Sequence, residues 1–265
     1  MVKSIVHPTT GQTLFFGRKR PIEPPKLKLK DYLDLSALPG PPATFSYAPA
    51  AAAPLAQVYL NDQLGDCVIA CMAHMVGVYL GNAGITDIFE PSQIVALYSA
   101  IGGYVPGDPS TDNGCDELTA LHYWRTKGAP KGHNRPLGWV GVDPTNPAEY
   151  RAACWLFENL MFGIELPDEW ITPFPSAPGF VWDAAGSPDP DNGHCFDGVG
   201  ADPEGIEICT WGMLGTVTDA AISEYASAAD GGELYAVINQ EMLVNGGKAP
   251  NGLDWQQLKA DFAAL

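Results

Sequence analysis

The most restrictive feature of this sequence is the apolar segment at residues 66–82, DCVIACMAHMVGVYLGN. It predicts one α-helix that is hydrophobic around most of its circumference. Asp66 is a candidate N-cap, and Gly81 with Asn82 supplies a stop signal. Because such a helix has to be buried on all sides, the rest of the chain must pack around it.

Patterned segments after this helix predict an α+β protein. Helical patterns begin at Pro91, run from Asp116 to Gly128, and begin again at Pro147. Short apolar segments with Gly, Pro or Asp between them then predict the strands of an antiparallel sheet, namely LMFGIELP, GFVWD, HCFDGVGAD, GIEICTWG and ELYAVINQ. The turn residues Asp202–Gly205 join HCFDGVGAD and GIEICTWG as a hairpin.

Residues 1–55 form a Pro/Ala-rich N-terminal arm, which holds seven of the 14 Lys and Arg residues of the chain. Apolar residues alternate at Leu27 and Leu29 and continue at Tyr32 and Leu33, so the arm can dock along a main domain as an extended strap. The functional alternative is a propeptide or a partner-binding tail.

Charge narrows the classes of partner. The 14 Lys and Arg residues stand against 31 Asp and Glu residues, which gives a formal net charge of −17. This surplus repels nucleic acid and anionic membranes and favours cationic substrates or partners. We see no signal peptide or membrane-spanning segment and expect a cytoplasmic protein. The six scattered cysteines suit free thiols better than a disulfide framework.

Cys67 and His194 are the candidates for chemistry. Cys67 is at the start of the predicted helix, where free N–H groups and the helix dipole favour a thiolate and lower the thiol pKa. Asn61 and Gln63 precede it and offer amide N–H donors to an oxyanion. His194 opens a strand directly after a turn, where an imidazole can be held rigidly as a general base.

Other readings of these residues point to metals. Cys67, Cys71 and His74 fall at i, i+4 and i+7 on one helix face, where they form a possible zinc set, although this face suits a core better. Acidic loops at 107–117 and 183–193 carry oxygen ligands for calcium, but neither has EF-hand spacing. We therefore predict no metal and no cofactor.

The residues around Cys67 resemble the papain-like cysteine peptidases, in particular the calpain-type Gly-Asp-Cys helix start, here Leu64–Ala70. In that family a glutamine of the oxyanion hole precedes the cysteine by six positions. Asn61 stands there in this sequence, and Gln63 follows two residues later. The resemblance thus implies an oxyanion role for one of these amides.

A second resemblance lies in the strands. Asn192–Cys195 matches the family's histidine-bearing strand, and Cys209–Gly212 matches its Asn-Ser-Trp-Gly. Cys209 stands where the family has the asparagine that orients the histidine, so Asp197, Thr210 or a backbone carbonyl would have to orient His194. Trp211 matches the tryptophan that shields the histidine and its partner from water.

The resemblance implies a two-lobed papain-like fold with the cleft between a helical lobe, about 56–135, and an antiparallel β lobe, about 136–245, with residues 246–265 as a C-terminal extension. It implies hydrolysis of a peptide or amide through a Cys67 thioester. Two alternatives stay open. One is a papain-fold binding protein with weak or no catalysis, and the other is a deamidase or transglutaminase-like acyl transferase.

Overall fold

The computed structural model describes residues 2–38, 40–239 and 255–264. Within them the helices are α1 (Ala52–Leu55), α2 (Cys67–Asn82), α3 (Pro91–Gly102), α4 (Glu117–Lys127), α5 (Pro147–Phe157), α6 (Asp168–Ile171), α7 (Asp219–Tyr225) and α8 (Trp255–Ala264). The strands are β1 (Ser4–Val6), β2 (Thr13–Phe15), β3 (Phe45–Ser46), β4 (Pro136–Gly141), β5 (Leu160–Pro167), β6 (Phe180–Trp182), β7 (Pro188–Ala201), β8 (Gly205–Thr210), β9 (Met213–Thr218) and β10 (Glu233–Asn239).

Helix α2 is the centre of the molecule. It begins and ends where the sequence predicts, and its residues 67–80 are all buried. The capping bond predicted for Asp66 is wrong, because the carboxylate of this described residue makes no cap hydrogen bond. Asp66 has φ −105° and ψ 24°, whereas capping side chains usually project from extended backbone.

The other helices confirm the predicted starts. Pro91 opens α3 after a reciprocal capping box between Glu90 and Gln93. The Asp116 carboxylate accepts a hydrogen bond from the Thr119 N–H at 2.8 Å and so caps α4. None of the helices in the described residues combines the length and the apolar character that a membrane crossing requires.

The strands of the large sheet follow the order β4-β10-β5-β7-β8-β9-β6, and β3 of the arm adds to β7. The β7–β8 hairpin is confirmed, and Asp202 stabilises its turn by accepting hydrogen bonds from the N–H groups of Glu204 and Gly205. The predicted antiparallel sheet is confirmed for the described pairs of the large sheet except β6 and β9, which run parallel. Strands β7 and β8 lie between β6 and β9 in the sequence. No hairpin therefore joins β6 to β9 and forces them to run antiparallel.

Strand β7 lies between two hydrophobic cores. Phe196 points into the core that contains residues of α5 and α7, whereas Cys195 points into the core around α2. Successive side chains of a strand face opposite sides of a sheet, and β7 shows this alternation over its central residues. Chemistry-bearing side chains on neighbouring β7 positions therefore face different surroundings.

The N-terminal arm is packed into the main body of the protein. Leu14, Phe16 and Leu29 are almost completely buried, and they belong to the same core as Phe196. The divisions at residues 55 and 135 stay a prediction. The boundary between 245 and 246 lies outside the described residues.

Shortening a buried arm residue tests whether the arm is part of the core. We expect Leu29→Ala to lower the free energy of unfolding by about 2–5 kcal/mol, because it removes a fully buried side chain and leaves a cavity. Ile22→Ala is the matched control on the same arm, since Ile22 is 70% exposed, and its effect should stay within about 0.5 kcal/mol. Urea denaturation measures both, and equal small effects would contradict the packing of the arm.

Candidate active site

Cys67 is the first residue of α2 and is 1% exposed. Burial raises the pKa of its thiol, and the backbone N–H of Cys195, which favours the thiolate, opposes this shift only in part. The expected lowering of the thiol pKa by the helix N-terminus is therefore outweighed by desolvation in this structure. Cys67 is in its neutral thiol form.

The loop before Cys67 is fixed by a buried carboxylate that the sequence did not single out. Both oxygens of Asp112 accept hydrogen bonds from the Gly65 N–H, at 3.1 and 3.2 Å. The Tyr98 hydroxyl donates to the same carboxylate at 2.6 Å. Asp112 lies in the acidic loop at 107–117, and it positions the chain that leads into α2.

The prediction that His194 opens a strand is wrong, because β7 begins at Pro188 and His194 lies in its interior. His194 is held on one side by a hydrogen bond and on one face by an aromatic ring. Its Nε2 is 2.7 Å from Thr210 Oγ1, and its ring stacks on Trp211 with centroids 3.7 Å apart. Its Nδ1 is buried and has no hydrogen-bond partner among the described residues. Burial lowers the pKa of His194, so the imidazole is neutral.

A tight turn places Trp211 over His194. Strands β8 and β9 pair up to Thr210 and Met213, which leaves Trp211 and Gly212 as a two-residue turn. Both have positive φ, 46° and 76°, as a type I′ turn requires. Glycine adopts this backbone freely, whereas tryptophan does so only with strain. The stacking of Trp211 on His194 thus accompanies a strained backbone.

Cys209 and Asp197 lie on the other face of the sheet from His194. They are paired across β7 and β8, and Asp197 is three residues from His194 along the strand. The Cys209 thiol donates to the carbonyl oxygen of Leu55 at 3.2 Å. Of the candidates for orienting His194, the structure brings Thr210 to the ring and directs Cys209 and Asp197 elsewhere.

The two amides proposed for the oxyanion site have different surroundings. Asn61 is buried, and its Nδ2 donates to the carbonyl oxygen of Leu64 at 2.9 Å. Gln63 is exposed and lies 3.5 Å from Asp62 through its Nε2. The backbone N–H of Cys67, at the start of α2, is a third donor close to the thiol. The oxyanion role of Asn61 and Gln63 stays a prediction.

Cys67 and His194 come from elements that pack together, α2 and β7. No hydrogen bond between the thiol and the imidazole is found among the described residues. Instead, Phe16 of the arm lies against the imidazole and the indole, with ring centroids 6.0 Å from His194 and 5.7 Å from Trp211. The arm therefore covers one side of the imidazole and of the indole.

The arm binds this place as an extended peptide. The N–H groups of Gly17 and Arg18 both donate to the carbonyl oxygen of Gly193, at 3.1 and 3.0 Å. On the opposite side, the Cys115 N–H donates to Gly17 and the Lys19 N–H donates to Cys115, each at 3.0 Å. We call the space between Gly193 and Cys115 the groove.

Glycine is required at the centre of this segment. A Cβ added to Gly17 would lie 1.9 Å from the carbonyl oxygen of Gly65, and one added to Gly114 would lie 1.8 Å from the carbonyl oxygen of Gly17. Three glycines thus let the arm backbone touch the chain that precedes α2 and the chain that precedes α4. The sequence alone gave no signal that these three glycines meet.

A buried acidic cluster, also missed from the sequence, receives the next residue of the arm. The side chain of Arg18 is fully buried and forms ion pairs with Glu233, at 2.6 Å, and with Glu117, at 3.7 Å. The available signal was the basic stretch of the arm in an otherwise acidic chain.

The candidate zinc residues make contacts with other groups of the protein. His74 Nε2 lies 2.8 Å from the carbonyl oxygen of Gln57, and burial lowers the pKa of His74 to about 4. Cys71 is buried beside Cys195. Within the described residues, no three His, Cys, Asp or Glu side chains form a set that could hold a metal ion.

Comparison with known proteins gives matches in structure and none in sequence. No protein-family model and no curated protein matches the chain. Xylellain, a cysteine protease from Xylella fastidiosa, is similar with a TM-score of 0.58 and 14% identity, over 84% of this chain and 95% of that one. Digestive procathepsin L2 proteinase from Tenebrio molitor larval midgut gives 0.52 and 12%, over 75% and 68%.

A mite allergen structure from work on Blo t 1 and Der p 1 gives a TM-score of 0.52 and 12% identity, over 84% of this chain and 75% of that one. These neighbours are papain-like cysteine proteases. The chain therefore has a papain-like α+β fold, as its sequence predicts. At these identities the likeness concerns the fold.

The buried Asp197 gives a test of the site geometry. Both of its oxygens lack hydrogen-bond partners among the described residues, and burial raises its pKa well above the usual value. The folded protein therefore binds a proton that the unfolded chain releases as pH rises above about 4, so Asp197 destabilises the fold increasingly with pH.

We expect Asp197→Asn to raise the free energy of unfolding at pH 7.5, and the gain to shrink as pH falls toward about 4. Urea denaturation of both proteins across this range measures the difference. Asp191→Asn is a control at an exposed position of the same strand. A difference that does not change with pH would contradict the raised pKa of Asp197.

Proposed function

We propose that this chain is a cysteine-dependent hydrolase of peptide or amide bonds, with Cys67 as nucleophile and His194 as general base. The observation that carries the proposal is the state of the imidazole. Its Nε2 is held by Thr210, its face is covered by Trp211, and its Nδ1 is left without a partner among the described residues. One anchored and one free nitrogen is the arrangement a proton acceptor needs.

The position of Cys67 supports the same function. The thiol lies at the N-terminus of a long helix, where the dipole favours a negative sulfur. It is next to the backbone N–H of Cys195, the residue that follows His194. The fold is one found in cysteine proteases.

The chemistry follows from these groups. His194 takes the thiol proton, the sulfur of Cys67 attacks the carbonyl carbon, and the negative charge develops on the carbonyl oxygen. The amine then leaves with the proton from His194, and a thioester remains. His194 then takes a proton from a water molecule, and the water oxygen attacks the thioester carbonyl carbon. The carboxylic acid leaves, and the sulfur takes the proton from His194 and becomes the thiol again. The N–H of Cys67 is a donor for the developing oxyanion.

The buried surroundings of Cys67 and His194 set their protonation states while the arm occupies the groove. Desolvation raises the pKa of Cys67 and lowers that of His194, so both are neutral with the arm in the groove. Movement of Phe16 and Gly17 away would admit water and relieve both shifts. We therefore assign activity to the state in which the arm has left the groove. The backbone pairing of the arm also supports an extended peptide as substrate.

A binding protein without catalysis is the second candidate, and one observation favours it. Cys209, at the position of the family's asparagine, turns to Leu55 and does not orient His194. A hydroxyl from Thr210 replaces the amide. The two candidates differ in one result, namely whether peptide bonds break in a Cys67-dependent way.

The test measures cleavage of short synthetic peptides by mass spectrometry, in proteins whose arm is loosened by Gly17→Ala. Its control is Gly40→Ala, whose added methyl meets no atom within 4 Å. We expect Cys67→Ser to abolish cleavage in the Gly17→Ala protein and His194→Ala to lower it by about 10²–10⁴-fold. If cleavage survives both substitutions, or if no protein with Gly17→Ala cleaves any peptide, the proposed hydrolase is wrong. The binding protein is then the remaining candidate. Ammonia release without new N-termini would indicate a deamidase.

Thr210 should act as a positioning residue. We expect Thr210→Ala to lower kcat by about 10-fold or more, because the imidazole loses its only described hydrogen bond. Thr210→Ser keeps the hydroxyl and should retain most of the rate. A comparison of kcat, KM and the pH profile for the three proteins separates positioning of His194 from a general loss of stability. Equal rates for alanine and serine would contradict this role.

A further inference from the structure

Three buried carboxylates along the groove take no part in the proposed chemistry. Glu117 is the first residue of α4, Glu165 lies on β5, and Glu233 is the first residue of β10. All three are almost completely inaccessible. Carboxylates are rarely buried unless they are paired, so their convergence on one place needs a partner.

The partner is the basic stretch of the arm. Arg18 donates from Nε and Nη2 to Glu233 at 3.1 and 2.6 Å, and from Nη1 to the carbonyl oxygen of Gly231 at 2.6 Å. Arg20 pairs with Glu165, with 2.8 Å between Nη2 and Oε2. A guanidinium has a planar set of donors, and these acceptors match it on several sides.

The pocket around Arg18 has more negative than positive groups. Neither oxygen of Glu117 has a hydrogen-bond partner among the described residues, although the carboxylate is only 3.7 Å from Arg18 Nε. The Tyr235 hydroxyl donates to the remaining oxygen of Glu233 at 2.7 Å. Burial raises the pKa of Glu117 and of Glu233, and the Arg18 charge opposes both shifts. A cation in this pocket therefore favours the ionised form of both carboxylates.

Gly163 makes the room for that cation. A Cβ added to it would lie 2.2 Å from Glu117 Oε1 and 2.6 Å from Arg18 Nε. Gly163 pairs with Cys195 on β7 and with Glu233 on β10, so the pocket adjoins the strand that carries His194. Any side chain at this position would fill the space that the guanidinium occupies.

Arg18 presents its side chain as a residue of a bound peptide would. Its N–H donates to Gly193, the residue before His194, and the residues on either side of it pair with Cys115. The Gly17 carbonyl oxygen accepts from the Cys115 N–H, and this bond holds the carbonyl on the helical side of the groove. The arm thus fills the groove while its Gly17 carbonyl oxygen is hydrogen-bonded to the Cys115 N–H.

We infer that the pocket formed by Glu117, Gly163 and Glu233 selects an arginine side chain of the peptide substrate, and that Arg18 occupies it as an internal substitute. This inference rests on the proposed hydrolase function. It gives the substrate class as peptides with an arginine at the position that Arg18 holds in the groove.

Binding is measured in the full chain with Cys67→Ser and Arg18→Ala, which cannot cleave and whose pocket lacks its cation. The probe is a fluorescein-labelled peptide with the sequence of residues 14–20, LFFGRKR, compared by anisotropy with the same peptide carrying citrulline in place of its first arginine. Citrulline has the same shape without the charge. We expect at least about tenfold tighter binding of the arginine peptide.

The preference should disappear when Glu233→Gln is added, and it should persist when Arg151→Ala, at an ion pair outside the groove, is added instead. Arg18→Met, which keeps an unbranched side chain, serves as the second variant should alanine unfold the arm. Equal affinity for the arginine and citrulline peptides in the folded variants would overturn the inference.

Cleavage of the two peptides by the chain with an intact Cys67 separates this inference from the proposed function. Arginine-selective binding without cleavage would contradict the proposed hydrolase function and support the arginine pocket. Cleavage without a preference for arginine would contradict the arginine pocket and support the hydrolase function.

Discussion

The packing of helix α2 against strand β7 is the interaction on which the rest of the structure depends. Helix α2 is apolar on all sides, and its burial places its first residue, Cys67, at the junction with β7. Strand β7 faces two cores at once, so Cys195 turns to the helix while His194 turns to Thr210 and Trp211. The same packing thus places the Cys67 thiol beside the backbone N–H of Cys195, the residue that follows His194, and no hydrogen bond joins thiol and imidazole among the described residues.

The arm completes this arrangement by close contact of backbone and by charge. Gly17 fits between Gly65 and Gly114, where no larger residue has room. Arg18 neutralises part of an acidic pocket that would otherwise hold buried, uncompensated charge. Since removal of one partner from such a cluster is costly, the pocket stabilises the covered state as long as no other cation competes. The chain's net charge of −17 gives its surroundings the same preference for cations.

Much of the fold could be predicted from local patterns. The bounds of α2 and the β7–β8 hairpin follow from apolar continuity and turn residues, which act within a few positions. The turn at Trp211 and Gly212 was missed, because a tryptophan with positive φ breaks the usual residue preference. The absence of a cap from Asp66 was missed for the same kind of reason, since its backbone conformation is set by its neighbours in the fold.

The candidate site also contains residues that the sequence could indicate and residues that it could not. Cys67 could be selected because it follows a local signal for a helix start, and it is the first residue of α2. His194 was selected as a strand start, whereas it lies in the interior of β7. The pairing of Arg18 with Glu117 and Glu233 could not, because the three residues are widely separated in sequence and no periodic pattern connects them. Thr210, and not Cys209, reaches His194 because alternate residues of β8 face opposite sides of the sheet.

The most direct test of the central claim is the rate at which iodoacetamide alkylates Cys67 across pH, measured by peptide mapping of the native protein. We expect slow alkylation in the wild type and in Gly40→Ala, where Cys67 is buried. We expect fast alkylation in Gly17→Ala at pH values below the free-cysteine pKa of about 8.5, with loss of that reactivity when His194→Ala is added. A Cys67 that stays inert in folded Gly17→Ala, or that reacts equally with and without His194, would contradict a thiol–imidazole pair controlled by the arm.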